Sequence, residues 1–137
     1  METNQLYRGR LIDHIQLVVA DLDASRRFYH AVLSAIGIPV VDGDGFFYAD
    51  ELFVSVGEPL TGRCHLAFQA KDEAMVKAFH TAGLAAGGRE NGEPGERPYH
   101  PGYYAAFLLD PDGNNIEAVY HGPARQSAAS ILIEFDA

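Results

Sequence analysis

The sequence predicts an α+β fold of two tandem βαβββ modules whose curved mixed sheets surround a cavity. Three observations predict it: a gapless internal repeat, an alternating strand at the head of each copy, and an apolar helical stripe after each strand. His14, Asp21, Phe28, Leu33 and Gly37 recur as His65, Asp72, Phe79, Leu84 and Gly88, each 51 positions later. One such match is chance. Five in one register, each at a position with a structural job, mark a duplicated unit.

In the first copy, residues 13–19 alternate, with Ile15, Leu17 and Val19 on one face and His14, Gln16 and Val18 on the other. In the second, residues 64–70 set Leu66, Phe68 and Ala70 against His65, Ala67 and Gln69. Each strand thus has an apolar back, to pack under a helix, and a more polar front headed by a histidine, to face a wetter cleft. Asp21 and Asp72 are N-cap residues, short carboxylates that accept from the free amides of a first turn. Phe28, Val32 and Ile36 give the first helix its buried stripe; Met75, Phe79, Ala82 and Ala86 give the second. Gly37 and the pair Gly87 and Gly88 end the helices, being tolerant of a left-handed backbone. Short strands follow at 39–41, 45–48 and 51–56 in the first copy and at 88–92, 103–109 and 115–121 in the second. Residues 110–114 form a tight turn between the last two, with Gly113 supplying positive φ. Two such sheets, from one chain or from two, close around a shared cavity. Residues 122–130 read as a linker, and 131–135 as a terminal strand expected to cover a sheet edge or cross to a partner subunit. The division is an N-terminal extension (1–10), one domain (11–122, module one 11–60 and module two 61–122), and a C-terminal tail with a short strand (123–137).

With 137 residues and 47% apolar content, the chain can bury a core. A net charge of −9 and a pI near 4.9 argue against nucleic acid, whose phosphates would be repelled. No apolar run is long enough to cross a bilayer. Residues 1–10 are polar and lack the apolar stretch of a signal peptide. The single cysteine, Cys64, makes no internal disulfide. These features predict a cytoplasmic protein with neither membrane nor nucleic-acid partner.

The run from His14 through Ile15, Gln16, Leu17, Val18, Val19, Ala20 and Asp21 to Leu22, followed by Phe28 and Tyr29, resembles the opening of vicinal-oxygen-chelate proteins. That superfamily holds glyoxalases, bleomycin-resistance proteins and extradiol dioxygenases. Residues 107–117 resemble its closing motif, an Asp-Pro-Asp-Gly turn (Asp110 to Gly113) running into a strand that bears a glutamate, here Glu117. The likeness covers residues 11–121 and is specific for the fold, much less so for the reaction.

The resemblance implies three ligands for a divalent metal: His14 and His65, on the first strand of each module, and Glu117, on the last strand of the second. Two imidazoles and one carboxylate on one face of Fe, Mn, Ni, Co or Zn leave positions for two substrate oxygens. The ion then polarises a carbonyl or, as Fe or Mn, activates O₂. Glu117 also sits in an apolar-bordered strand, where a lone charge is costly unless paired or metal-bound. The competing reading makes each strand histidine an ordinary hydrogen-bonded residue kept by duplication. Glyoxalase I enzymes carry a second carboxylate on the last strand of the first module. Here the middle of 51–56 is apolar or hydroxylated, with Glu51 and Glu58 at its ends, which weakens methylglyoxal chemistry for want of a base. A two-histidine, one-glutamate set is closer to extradiol dioxygenases and fosfomycin-resistance transferases; the latter have a threonine where Gln16 stands.

Residues 88–102, rich in Gly, Pro and charge, read as a substrate loop or a solvated connection. His100 and Tyr103 are its candidate catalytic residues. Arg97, for an anionic group, and Tyr99, for a ring, join Gln16 as candidate substrate contacts. His30 and His80 read as surface or helix–sheet contacts, His121 as a neighbour of Glu117, and Cys64 as an inert core thiol. The expected function is a glyoxalase- or dioxygenase-like, divalent-metal-dependent enzyme, either a lyase/isomerase or a ring-cleaving dioxygenase. It acts on a small oxygenated substrate bound through vicinal oxygens. The alternative is a non-catalytic drug- or metabolite-sequestering protein of bleomycin-resistance type. The resemblance also implies a homodimer. If modules pair between chains, His14 comes from one subunit and His65 with Glu117 from the other.

Overall fold

A computed structural model describes residues 5–8, 12–124 and 131–134. In chain order the elements are β1 (Gln5–Arg8), β2 (Ile15–Val19), α1 (Leu22–Ala35), β3 (Val41–Asp42), β4 (Phe46–Ala49), β5 (Leu52–Val56), β6 (His65–Gln69), α2 (Glu73–Ala85), β7 (Arg89–Glu96), β8 (Tyr104–Leu109), β9 (Asn115–Tyr120) and β10 (Ile131–Glu134). The predicted architecture holds: two four-stranded mixed sheets, ordered β2-β5-β4-β3 and β6-β9-β8-β7. In each sheet the first strand of the module lies parallel to its last, β2 to β5 and β6 to β9, and the other pairs are antiparallel.

The N-caps form as expected. Asp21 accepts from the Ala24 amide at 3.1 Å and Asp72 from the Met75 amide at 2.8 Å. The helix ends depart from the 51-residue register. Ile38 N–H closes on Leu33 O at 2.9 Å, with Gly37 at φ 78°; Gly88 N–H closes on Gly83 O at 2.8 Å, with Gly87 at φ 98°. The second helix is therefore one residue shorter, and the equivalent of Leu33 is Gly83 rather than Leu84. Burial agrees: Leu33 is 2% exposed and Leu84 40%. The buried stripe of α2 runs through Val76, Phe79, His80 and Gly83, so Met75 and Ala82 lie at its margin.

The shift has a packing purpose. A Cβ at Gly83 would lie 2.9 Å from Val32 Cγ1 on α1 and 2.2 Å from Leu108 Cδ1 on β8. Glycine here lets α2 settle between α1 and its own sheet. The apolar backs of both sheets and the faces of both helices merge into one core, including Leu17, Phe28, Tyr29, Phe47, Val54, Phe79, Leu108 and Ile116. The two fronts are left open, with Gln16, His65, Ala67 and Gln69 exposed.

Two expectations are corrected. The terminal strand β10 pairs antiparallel with β1, inside the N-terminal extension, in a separate two-stranded ribbon rather than along an edge of either larger sheet. Phe135 and residues 125–130 of the expected linker lie outside the described residues, as do residues 1–4 and 9–11. The segment 88–102 is not mainly a loop, because β7 runs through Arg89–Glu96. Its Gly and Pro content suits an edge strand with register shifts between Glu90 and Gly92 and between Gly92 and Gly95. Among the described residues no helix is long and apolar enough to cross a membrane.

Candidate metal centre

The turn at 110–114 organises the site before any ligand is considered. The Asp110 carboxylate accepts from the amides of Asp112 and Asn114, from Asn114 Nδ2, and from the Tyr29 hydroxyl of α1 at 2.6 Å. Asn114 Oδ1 in turn accepts from the Cys64 amide at 3.0 Å, and Asn115 N–H bonds to Cys64 O at 2.9 Å. These bonds set β6 against β9 with His65 opposite Asn115 and Ala67 opposite Glu117. On the other side, Phe107 of β8 pairs with Glu117. His65, Phe107 and Glu117 therefore share the front of the second sheet.

Glu117 is 1% exposed, yet neither lysine nor arginine pairs with it among the described residues. Its Oε1 meets His65 Nε2 at 2.8 Å, and its Oε2 accepts from the Tyr103 hydroxyl. The His65 side chain remains 52% exposed. Burial pushes the Tyr103 phenol well above the ordinary tyrosine range; the hydrogen bond and charge of Glu117 add to this, and Arg97 opposes it. Tyr103 is thus a standing proton donor at neutral pH. Around its ring stand Tyr99 at 5.0 Å, His100 at 5.3 Å and His121 at 5.4 Å, all edge-on. His100 Nε2 and His121 Nδ1 lie 2.9 Å apart, within hydrogen-bond distance. The Arg97 guanidinium lies over the Phe107 ring, 5.3 Å from its centroid. At the end of the sheet near His65 a depression of about 610 Å³ is lined by Arg63, Arg89, Asn115 and Asp112 among others.

The two remaining candidates are elsewhere. His14 immediately precedes β2, 61% exposed, with Nδ1 2.7 Å from Asp13 Oδ1. Gln16 donates to Ser55 Oγ at 3.0 Å. Both belong to the front of the first sheet, and among the described residues no three metal-ligating side chains converge. The structure therefore brings together His65, Glu117 and Tyr103, surrounds them with Tyr99, His100 and Arg97, and leaves His14 and Gln16 on the other module's open face. The ladders also identify the first-module counterpart of Glu117. Glu117 stands opposite Ala67, two residues after His65; opposite Gln16, two residues after His14, stands Phe53. Glu51 lies two residues before Phe53, its carbonyl accepting from the Ile15 amide at 2.7 Å. An aromatic ring thus occupies the place of a fourth carboxylate, and Phe53 stacks on Phe46 at 5.2 Å.

An imidazole nitrogen and a buried carboxylate oxygen in contact, with neither lysine nor arginine bonded to that carboxylate among the described residues, suit a divalent metal as two of its protein donors. Sequence reasoning missed Phe107 and the placement of His121. Phe107 was recoverable by counting outward from the 110–114 turn, since Leu109 pairs with Asn115 and Phe107 with Glu117. His30 and His80 make the expected contacts from their helices: His30 binds Asp42 at 2.9 Å and His80 binds Glu90 at 2.7 Å. Cys64 Sγ contacts Asn114 Oδ1, and burial raises its thiol pKa, in keeping with a protonated, unreactive side chain.

A family model described as the Glyoxalase/Bleomycin resistance protein/Dioxygenase superfamily matches residues 11–118. The uncharacterized protein YqjT of Bacillus subtilis (strain 168) is 32% identical over 126 residues, 77% of this chain and 95% of that protein. A glyoxalase/bleomycin resistance protein structure from Albidiferax ferrireducens T118 is 36% identical and superimposes with a TM-score of 0.70, covering 80% of this chain and 98% of that one. A glyoxalase-related enzyme from Fulvimarina pelagi shares the fold at 24% identity, with a TM-score of 0.68, covering 93% of this chain and 99% of the other.

Proposed function

The chain belongs to the Glyoxalase/Bleomycin resistance protein/Dioxygenase superfamily, and from that premise we propose that it is a divalent-metal-dependent enzyme acting on a small oxygenated substrate bound through vicinal oxygens. The observation that carries the proposal is Glu117, a buried carboxylate met among the described residues by a half-exposed imidazole and a phenol and by neither lysine nor arginine. A lone ionised carboxylate at that depth is unfavourable, and a bound cation offsets the cost. His65 and Glu117 would hold the metal together with His14 of a second copy, in a homodimer whose first module covers the second module of its partner. Two features support the pairing between copies. The helices pack together inside one chain with both sheet fronts turned outward, and His14 and His65 head equivalent strands without meeting.

When bound, the metal supplies Lewis-acid polarisation of the chelated substrate oxygens or, as Fe or Mn, O₂ activation. The chain's own residues do the rest. Tyr103 holds Glu117 Oε2 and keeps its own proton, which fixes the carboxylate's orientation. His100 and His121 pass a proton between Nε2 and Nδ1 at the mouth of the site. With Phe53 at the counterpart of Glu117, the first module lacks the carboxylate base of glyoxalase I, which favours chemistry on a two-histidine, one-carboxylate centre, ring cleavage included.

The test is metal analysis of protein purified without chelators, for the wild type and for Glu117→Ala and His65→Ala, followed by turnover assays with catechols, hemithioacetals and epoxide antibiotics. The expected result is metal in the wild type, little in either variant, and turnover of one class. Equal metal content in all three would refute the ligand assignment. Tight ligand binding without any metal would point instead to a sequestering protein.

A further inference from the structure

Arg97 lies flat on the front of the second sheet, and the strand beneath it is shaped to let it do so. Its guanidinium covers Phe107, whose ring is 5.9 Å from that of His65 and which pairs in register with Glu117. Nη2 donates to Glu93 O at 2.7 Å and Nη1 to Glu96 O at 3.2 Å. A guanidinium carries five N–H donors, and these two carbonyls engage only part of that set. Among the described residues no carboxylate pairs with Arg97, although the chain has 19 Asp and Glu against 10 Lys and Arg. Glu93 and Glu96, its acidic neighbours in sequence, give it only backbone carbonyls.

The glycines of β7 complete the observation. A Cβ at Gly92 would come 2.9 Å from Phe107 Cδ1 and 3.3 Å from Arg97 Nη2; one at Gly95 would come 3.2 Å from Nη1. Both glycines sit where the β7–β8 register shifts. A side chain at either position would press on the guanidinium, and one at Gly92 also on the Phe107 ring beneath it. A solvated surface arginine needs no such bed. A fixed cation with spare donors beside a chelating centre does one thing well: it binds a planar oxyanion through two parallel hydrogen bonds.

We infer that Arg97 recognises a carboxylate, so that the substrate is a small organic acid carrying both vicinal oxygens and a carboxylate group. This rests on the chelating site proposed above. Tyr99 and Tyr103, edge-to-face at 5.0 Å and tied to Glu117 through the Tyr103 hydroxyl, offer aromatic faces that suit a planar skeleton.

The test is calorimetric titration of the manganese-loaded protein with catechol, benzoate, protocatechuate and the dihydroxybenzoate isomer whose carboxylate adjoins the diol. In the wild type at least one dihydroxybenzoate should bind about tenfold or more tightly than catechol, the effect of one charge-assisted carboxylate contact. Arg97→Gln should erase that preference while leaving catechol affinity within about twofold, and Arg97→Lys should keep part of it. Gly95→Ala, which presses on Nη1 from within β7, should weaken the preference and serves if Arg97→Gln does not fold. Equal affinity of catechol and both dihydroxybenzoates in the wild type, or a preference that survives Arg97→Gln, overturns the inference. The two readings fail separately. Benzoate binding lost in Arg97→Gln, with no advantage from the diol, removes the chelating site and leaves the carboxylate contact standing.

Discussion

Tyr29 shows how far a single residue of the first module reaches into the second. Its hydroxyl is buried and donates to Asp110, the carboxylate that organises the turn ahead of Glu117. Tyr29→Phe leaves Asp110 its three other donors and should cost about 1–3 kcal/mol in denaturant unfolding at neutral pH. Burial, then the charge and hydrogen bond of Asp110, raise the Tyr29 pKa above its ordinary 10.0. The folded state therefore holds this proton more tightly than the unfolded one. The resulting stability is full below pH 10.0 and is lost as pH rises toward the raised value. Wild-type stability should fall more steeply than that of Tyr29→Phe across that window, which unfolding curves on both proteins would measure. Glu117→Gln should behave oppositely to a structural mutation: little or no loss of stability in metal-free protein, with metal uptake abolished. A loss of several kcal/mol, about the size of breaking a buried ion pair, would make Glu117 structural. At this scale the sequence is most readable where a residue type is tied to a motif, as His65 and Glu117 are. It is least readable for Arg97 on Phe107, because the two meet only through bulges that no periodicity announces.

Among elements, the helices were legible at their starts and less so at their ends. Aspartate caps are local chemistry, so Asp21 and Asp72 could be named from spacing alone. Asp21→Ala and Asp72→Ala should each cost about 1 kcal/mol in thermal unfolding, and nearly equally, as repeat-related positions. The helix ends are set by packing. Gly83 replaces a leucine of the first copy because α1, α2 and β8 meet there, which the fixed 51-residue register concealed. Gly83→Ala gains about 1 kcal/mol of helix propensity but inserts a Cβ 2.2 Å from Leu108. Overpacking of that kind costs about 1–3 kcal/mol, so thermal denaturation should show a net loss. A gain would mean that the helices are looser than the contacts at Val32 and Leu108 require. The strand β7 is legible only as far as residue 92, for the converse reason: Gly92, Pro94 and Gly95 break the alternation that marks a strand, and an edge position tolerates all three.

For the whole molecule, duplication specifies two modules but not how they meet. Either arrangement buries the same apolar backs, so composition and periodicity are silent between them. The helix–helix packing inside the chain leaves His14 on one open front and His65 with Glu117 on the other, two incomplete halves of one proposed centre. In the proposed dimer, a second copy related by twofold symmetry would complete both at once. The most direct measurement is the metal content of His14→Ala and Glu117→Ala, separately and after unfolding and refolding as an equimolar mixture. Each alone should be nearly empty. Random pairing in the mixture rebuilds one intact site in half of the dimers and returns about a quarter of the wild-type content. A mixture as empty as its parents, with both variants folded, or a fully loaded His14→Ala, would contradict a centre shared between copies.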